Sequence, residues 1–544
     1  MRGRALGGLA LLFLVIFAAA TGRGGVTQPP AEASSEESRR TAPLALANLP
    51  GLVQEPLSPS QVVSAAELIG ADRWRAAGFS GFGVRVAVVD TGFAGYEAHL
   101  GQSLPAAVRT RSFRADGNLE ANSDHGTLAA RIIASIAPAT ELHLLNFGTL
   151  SELSALADYV VEQQIQVVSF SIGFVHNGPG NGTGPVNDIV TRGASGGALW
   201  AVAAGNWAQQ HWAGTFTDGN GNSIHEFAQG VEEDGRTYRS GDLIIVSLRW
   251  DDPWGQSCND YDLELFGPDG ALVRASRAAQ SCKGDPVEGL QVLATRDGRY
   301  QARIVRAGAA PKRLELLMLG SPDRSEGLEI PVVAGSLAEP ADNASVMTVG
   351  ATNPLSPQQL ARFSSRGPTT DGRAKPEIVS PTGPATGAEA AFAGTSAAAP
   401  HVAGAAALLL EAFPQASLRD LKDQIRQRAI RLPAPAVEAE AGAGALQLGT
   451  LANLGPLLPP GASAATFADV TPPGAPFAVF RYRGPPAFPA RFTHILTGGR
   501  SPLALYRFDL ARLHFDLYVP KAPLVVNTFE TFSDGDLLFV TFPP

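Results

Sequence analysis

Four polar residues in four separate short motifs have the side-chain types that nucleophilic acyl transfer requires. Ser396 lies in Gly394-Thr395-Ser396-Ala397-Ala398-Ala399-Pro400-His401, between a flexible glycine and the small, apolar run from Val402 to Phe413, which reads as a buried helix. A serine at a helix start stands among unpaired backbone N–H groups and at the positive end of the helix dipole, and both favour a developing negative charge. Pro400 fits the first turns of such a helix with a kink and the loss of one backbone hydrogen bond. A serine hydroxyl becomes a useful nucleophile when a base takes its proton and a third group orients that base. His125, in Asp124-His125-Gly126-Thr127, supplies the base type, and Asp90, which ends the run Val84 to Asp90, supplies the carboxylate. Asn206 closes Ala203-Ala204-Gly205-Asn206 and carries an N–H₂ that can donate to an oxyanion, which an aspartate would repel.

Each residue has a plainer reading when taken alone: a serine near the cap of an Ala-rich core helix, an aspartate capping a turn, a Gly-Asn turn. Together, in the chain order Asp, His, Ser, they follow the subtilisin form of the triad. The sequence resembles the subtilisin-like (subtilase) serine peptidases. The motifs around Asp90, Asn206 and Ser396 match that family closely, and the histidine motif departs only at Leu128, where the family usually has a second histidine that is not the base. The resemblance implies a secreted endopeptidase that hydrolyses protein or peptide substrates through an acyl-enzyme, with no cofactor required for the chemistry. It implies Asp90, His125 and Ser396 as catalytic residues and Asn206 in the oxyanion hole. It also implies that Ser171-Ile172-Gly173 pairs with the substrate backbone and lines the pocket for the residue before the scissile bond. Two other functions use the same sequence: a catalytically silent secreted binding protein acting through its β-insert, which predicts damage to the catalytic set, and a peptide ligase, whose motifs would be the same.

The elements that must position these residues alternate. Val84 to Val89 is apolar at nearly every position, as a parallel strand buried on both faces would be, and Asp90 falls at its carboxyl end, where open α/β sheets place their ligands. His125 opens a helix with Leu128, Ile132, Ile133 and Ile136 on one face. A strand at Glu141 to Phe147, a helix from Glu152 to Gln164, and strands at Gln166 to Ile172 and Leu199 to Ala203 follow. The alternation predicts an α/β fold with a doubly wound parallel sheet of subtilisin-like type. It resumes with strands at Ile330 to Ala334 and Val346 to Ala351, the segments Phe363 to Gly367 and Lys375 to Ile378, and an amphipathic helix from Ser417 to Ile430.

Between Trp207 and Gly327 the period shortens. Alternating runs at 243–248, 263–266, 290–294, 300–305 and 314–319, with turns at Gly267-Pro268-Asp269-Gly270 and Asp297-Gly298, predict an inserted β-sandwich. The long separation of His125 from Ser396 agrees with an insertion. The chain is therefore read as a signal peptide (1–20), a linker or short prosegment (21–69), and a catalytic domain (70–431) interrupted by the insert (208–327). A Pro/Ala/Gly-rich linker (432–464) and a β-rich C-terminal region of unknown role (465–544) complete it.

With 544 residues, 45% of them hydrophobic, the chain has material for more than one core. A formal net charge of −9 gives no basic footprint for nucleic acid. Arg2 and Arg4 before the apolar run Ala5 to Ala20 form a secretory signal pattern, with an uncleaved N-terminal anchor as the competing reading, and no later stretch is long and apolar enough to span a bilayer. The expected address is secreted or periplasmic. In an exported chain the two cysteines, Cys258 and Cys282, predict one disulfide. No metal is assigned, although structural calcium stays open because Asp251, Asp252, Asp260 and Asp262 offer hard oxygens; they also read as turn aspartates.

Overall fold

The computed structural model describes residues 65–449, apart from Asn122, 321–326, 354–355, 383–391 and 434–437, and beyond them the backbones of five strands between Thr466 and Thr541. The signal segment, the linker up to residue 64 and residues 450–465 lie outside the described residues.

Two short helices, α1 (Ala65–Leu68) and α2 (Ala71–Ala76), lead into β1 (Arg85–Asp90). Then come β2 (Arg109–Ser112), α3 (His125–Ile136), β3 (Glu141–Asn146), α4 (Leu150–Glu162), β4 (Val167–Phe170), α5 (Pro185–Ala194) and β5 (Leu199–Ala203). Eight strands follow: β6 (His211–Thr215), β7 (Asp234–Tyr238), β8 (Leu243–Trp250), β9 (Tyr261–Phe266), β10 (Leu272–Ser276), β11 (Val287–Leu293), β12 (Gly298–Arg306) and β13 (Arg313–Leu319). The α/β pattern returns with β14 (Met347–Asn353), β15 (Ser356–Leu360), β16 (Ile378–Pro381), α6 (Thr395–Ala412), α7 (Leu418–Arg428) and α8 (Glu438–Ala441). Strands β17 (Thr466–Asp469), β18 (Ala478–Arg483), β19 (Ala504–Asp509), β20 (His514–Tyr518) and β21 (Leu537–Thr541) make a separate antiparallel sheet.

The main sheet runs β15-β14-β5-β4-β1-β3-β2, with β16 also on β14, and every pairing is parallel except that of β15. A parallel sheet must be covered on both faces. One face packs against α3 and α6 around Val86, Val88, Ile133 and Leu408, and the other against α4 and α5 around Val89, Phe170, Trp200 and Leu156. The centre of the sheet, β4-β1-β3, ends at Asp90 and at the segment after Phe170, so the strand order carries both to the same edge.

Between β5 and β14, sheets β10-β9-β12-β7 and β11-β8-β13-β6 are each four-stranded and antiparallel, and they share a core of Trp212, Val246, Leu263, Tyr300 and Leu316. Strands β6, β7 and β10 fall outside the runs expected from the sequence, and β10 is exposed along an edge.

Three expectations need correction. Ile330 to Ala334 is not a strand: Glu329 and Ile330 N–H donate to the Asp234 carboxylate and Val332 N–H to His211 O, so no ladder is left for them. Phe363 to Gly367 is irregular as well, its Ser364 and Ser365 hydroxyls serving backbone N–H groups of Ala351 and Trp207. The linker boundaries also move inward. Ala66 and Ile69 lie in the main core, and so do Leu446 and Leu448; Leu448 N donates to Ile69 O at 2.8 Å and Leu446 N to Val379 O at 2.7 Å. Pro/Ala/Gly composition hid these anchors because two leucines carry the burial.

Glu411, near the far end of α6, accepts from Ser80 and Gly81 N–H, both at 2.6 Å, and so pins the turn before β1. Burial outweighs these donors and pushes its carboxyl from an ordinary 4.5 up to about 7. A carboxyl whose folded pKa is raised stabilises the fold fully below its unfolded value and loses that contribution as pH rises through about 7. Glu411→Gln should therefore flatten the dependence of unfolding free energy on pH between 4.5 and 7.5, a change of roughly 1–3 kcal/mol in denaturant titrations. Parallel pH curves for the two proteins would rule this out.

Candidate active site

Asp90 is fully buried at the end of β1, where its Oδ1 accepts from Thr91 N–H at 2.8 Å and its Oδ2 meets His125 Nδ1 at 2.6 Å. With Asp90 ionised, Nδ1 carries the hydrogen, which leaves Nε2 as the free basic nitrogen. The short approach of α3 to β1 depends on Gly126. A Cβ there would stand 2.8 Å from Asp90 Cβ and 2.6 Å from Gly92 O, and its N–H donates to that same carbonyl at 3.1 Å.

Ser396 occupies the first turn of α6. Of the 18 residues in that helix it is the only one not buried, so the helix offers the outside one hydroxyl. Pro400 has no N–H for the carbonyl four residues back, which is that of Ser396. The missing donor comes from another element: Ser171 Oγ donates to Ser396 O at 3.0 Å. In return Ser396 Oγ donates to Ser171 O, though at 3.4 Å. No hydrogen bond joins Ser396 Oγ to His125 Nε2 among the described residues, and the unliganded hydroxyl rests on Ser171 O instead.

Asn206 follows β5. Its Oδ1 accepts from Thr395 N–H at 2.9 Å and from Thr395 Oγ1 at 3.0 Å, which fixes the amide and leaves Nδ2 as a donor. Gly394 has φ 108°, and a Cβ there would lie 2.9 Å from that Nδ2. The Ser396 N–H, in the first turn of α6, has no intrahelical carbonyl to bond. Two donors thus flank the serine.

The segment after β4 divides. Ser171 makes the contacts above, Gly173 is half-buried, and Ile172 is fully buried in the core beside Phe170 and Trp200. Ile172 can offer only its backbone to a ligand. Cys258 and Cys282 form a disulfide between the loop after β8 and the loop before β11. The four aspartates do not converge. Asp252 is taken by Lys312 Nζ at 2.8 Å, Cys258 N–H at 3.0 Å and Asn259 N–H at 2.8 Å, while Asp251 accepts from Arg313 N–H at 3.1 Å. Asp262 instead approaches Arg277 at 4.0 Å. Among the described residues no group of three or more His, Cys, Asp or Glu is placed to hold a metal ion.

Three supporting residues had no signal in the sequence. The Phe392 ring stands edge-on to His125, centroids 5.1 Å apart, and walls one side of the imidazole. Thr382 exchanges hydrogen bonds with both backbone groups of Gly394, fixing the glycine that precedes α6. Asn146, buried at the end of β3, donates to Asn118 O and Leu119 O at 2.8 and 2.9 Å and so ties down the loop between β2 and α3.

A model of the subtilase family matches residues 81–229 and 329–444, which flank strands β7 to β13 and contain all four motif residues. The chain belongs to the subtilase family. It is 24% identical over 491 residues to the minor extracellular protease Vpr of Bacillus subtilis, covering 76% of this chain and 57% of that protein. It is 36% identical over 117 residues to a subtilisin of Bacillus pumilus, covering 20% of this chain and 42% of that one. The chain thus spans about half the length of the curated relatives it matches. The CspB protease of Clostridium perfringens shares the fold, with a TM-score of 0.50 and 18% identity over 71% of this chain and 98% of that one.

The contact between Ser171 and the Ser396 carbonyl has a measurable consequence. Ser171→Ala should cost about 1 kcal/mol in denaturant unfolding, and less when Pro400→Ala restores the helical N–H. Equal costs in the two backgrounds would show that the hydroxyl does not replace the missing donor.

Proposed function

We propose that this subtilase is a secreted or periplasmic serine endopeptidase acting on protein or peptide substrates. The observation that carries the reading is the 2.6 Å contact between the buried Asp90 carboxylate and His125, set beside the one accessible residue of α6. In the proposed reaction the Ser396 hydroxyl attacks a peptide carbonyl while His125 Nε2 takes its proton. Asp90 holds the imidazole tautomer and stabilises the imidazolium. Asn206 Nδ2 and Ser396 N–H receive the oxyanion. His125 then protonates the leaving amine, an acyl-enzyme remains, and water releases it by the same steps in reverse order of groups. Ser171 and Gly173 offer backbone to the substrate strand. No step needs a cofactor, and the lysine and amide partners of Asp252 support a strut in place of a calcium ligand. The relatives' names, which include an extracellular protease, support export, and no described helix is long and apolar enough to cross a membrane.

We also read residues 208–327 as a β-sandwich inserted into the catalytic domain. The family match skips residues 230–328, which supports an insertion over most of that span, while β6 lies within the matched part. The catalytic domain then extends from α1 to Gly449, with the C-terminal sheet as a separate region.

A serine-directed phosphonylating reagent should label Ser396, and Ser396→Ala should lose digestion of unfolded casein. Labelling at another serine, or casein digestion by the variant, would end the assignment. Asn206→Ala should fold and keep KM while kcat falls by about 10²–10³, the size of loss seen when the corresponding donor is removed from a subtilisin. An unchanged kcat would remove Asn206 from the oxyanion hole.

A further inference from the structure

Ala338 and Glu339 lie between the two backbone walls that flank Ser396. Ala338 N–H donates to Ala204 O at 2.9 Å, two residues before Asn206, and Phe174 and Glu339 exchange backbone hydrogen bonds at 2.8 and 3.2 Å, directly after Gly173. A Cβ on Gly173 or Gly205 would stand 2.8 or 2.9 Å from Ala338 Cβ, so both walls close on that methyl group.

The inserted sheets hold this segment from behind. Arg249, on β8, donates from Nη1 to Glu339 Oε1 at 2.8 Å and to Gly178 O at 2.7 Å, and from Nη2 to Glu315 on β13. The three side chains are only 8, 3 and 7% exposed for Arg249, Glu339 and Glu315. Gly180 passes so close that a Cβ there would come 2.5 Å from the Arg249 guanidinium. A second line runs to the asparagine: Arg236 on β7 donates to Gln210 Oε1, and Gln210 Nε2 donates to Asn206 O at 3.1 Å. Between these polar lines, Ile245, Leu317 and Leu319 of the insert pack on Val175, Trp207 and Ala338.

We propose that Arg249 is a positioning residue for the peptide-binding cleft, through which the insert fixes the backbone wall after Gly173. The inserted sheets are then part of the substrate site and not a module reserved for large substrates. This rests on the peptidase reading above. A planar guanidinium can serve Glu339, Gly178 and Glu315 at once; a lysine ammonium, as a single point charge on a flexible stem, cannot hold all three in one geometry. Removing the cation altogether leaves Glu339 buried beside no counter-charge.

The test compares Arg249→Lys, Arg249→Met and the double variant Arg249→Met/Glu339→Gln, the last relieving the stranded carboxylate in case the single variant does not fold. Two rates are read on each: phosphonylation of Ser396 by a small fluorophosphonate that carries no peptide, and hydrolysis of a short peptide spanning a site that the wild type cuts in casein. We expect phosphonylation within about 3-fold of wild type, while KM for the peptide rises roughly 3–10-fold in Arg249→Lys and more in the double variant. An equal fall in both rates would reduce Arg249 to a structural residue, and an unchanged KM would remove the insert from the cleft. Failure of the wild type to be phosphonylated at Ser396 would instead strike the peptidase reading.

Discussion

Asp90 carries a carboxylate with no exposed surface, and the surrounding structure can be understood as what makes that tenable. A buried charge needs donors and a counter-group. The Thr91 N–H supplies one donor, and the His125 ring, 2.6 Å away, supplies the other. For the ring to be there, α3 must begin almost on top of β1, which Gly126 permits because it has no Cβ to collide with Asp90. The loop between β1 and α3 must then be folded back, and Asn146 on the neighbouring strand holds its far side through Asn118 and Leu119. Three elements distant in sequence are thus committed by one carboxylate.

Helix α6 meets a different constraint and solves it with the same strand edge. Pro400 deprives the Ser396 carbonyl of its helical partner, and Ser171, just past β4, provides the replacement at 3.0 Å. The exchange locks the start of α6 to the segment that on the proposed reading receives substrate. The resting contact of Ser396 Oγ with Ser171 O is long at 3.4 Å, so it holds the hydroxyl only weakly. On the proposed reading a strong bond there would tie up the hydroxyl that has to attack.

What the sequence disclosed divides along the range of the interaction. Asp90 at the end of an apolar run, His125 before an apolar stripe and Ser396 before a small-residue helix were legible because each sits in a local pattern whose period is set by the backbone. The parallel sheet was legible from the alternation of those patterns. Arg249, Glu339 and Gln210 were not, because a buried ion pair between residues 90 positions apart leaves no periodic trace. Ile330 to Ala334 misled for a related reason: its apolar residues suit a strand, but its N–H groups were claimed by Asp234 and His211, both in the insert. The stretch before Gly449 misled through composition, since glycine and alanine around Leu446 and Leu448 concealed two core residues.

An insertion is tolerated most readily where its ends are close and its body touches little else. On the proposed reading the insertion point is one residue past Asn206, and the body touches a great deal: a buried arginine, a glutamine relay and an apolar seam all cross the boundary. Such a seam costs independence of folding, because neither side can bury Arg249, Glu315 and Glu339 without the other. It also gives stiffness, because Ala338 cannot shift between Gly173 and Gly205 unless Glu339 releases Arg249 or the backbone between them distorts. The disulfide between Cys258 and Cys282 joins the loop after β8 to the loop before β11, and Arg249 and Val287 are partners where those two strands pair, so the cross-link closes the same end of the ladder that carries Arg249.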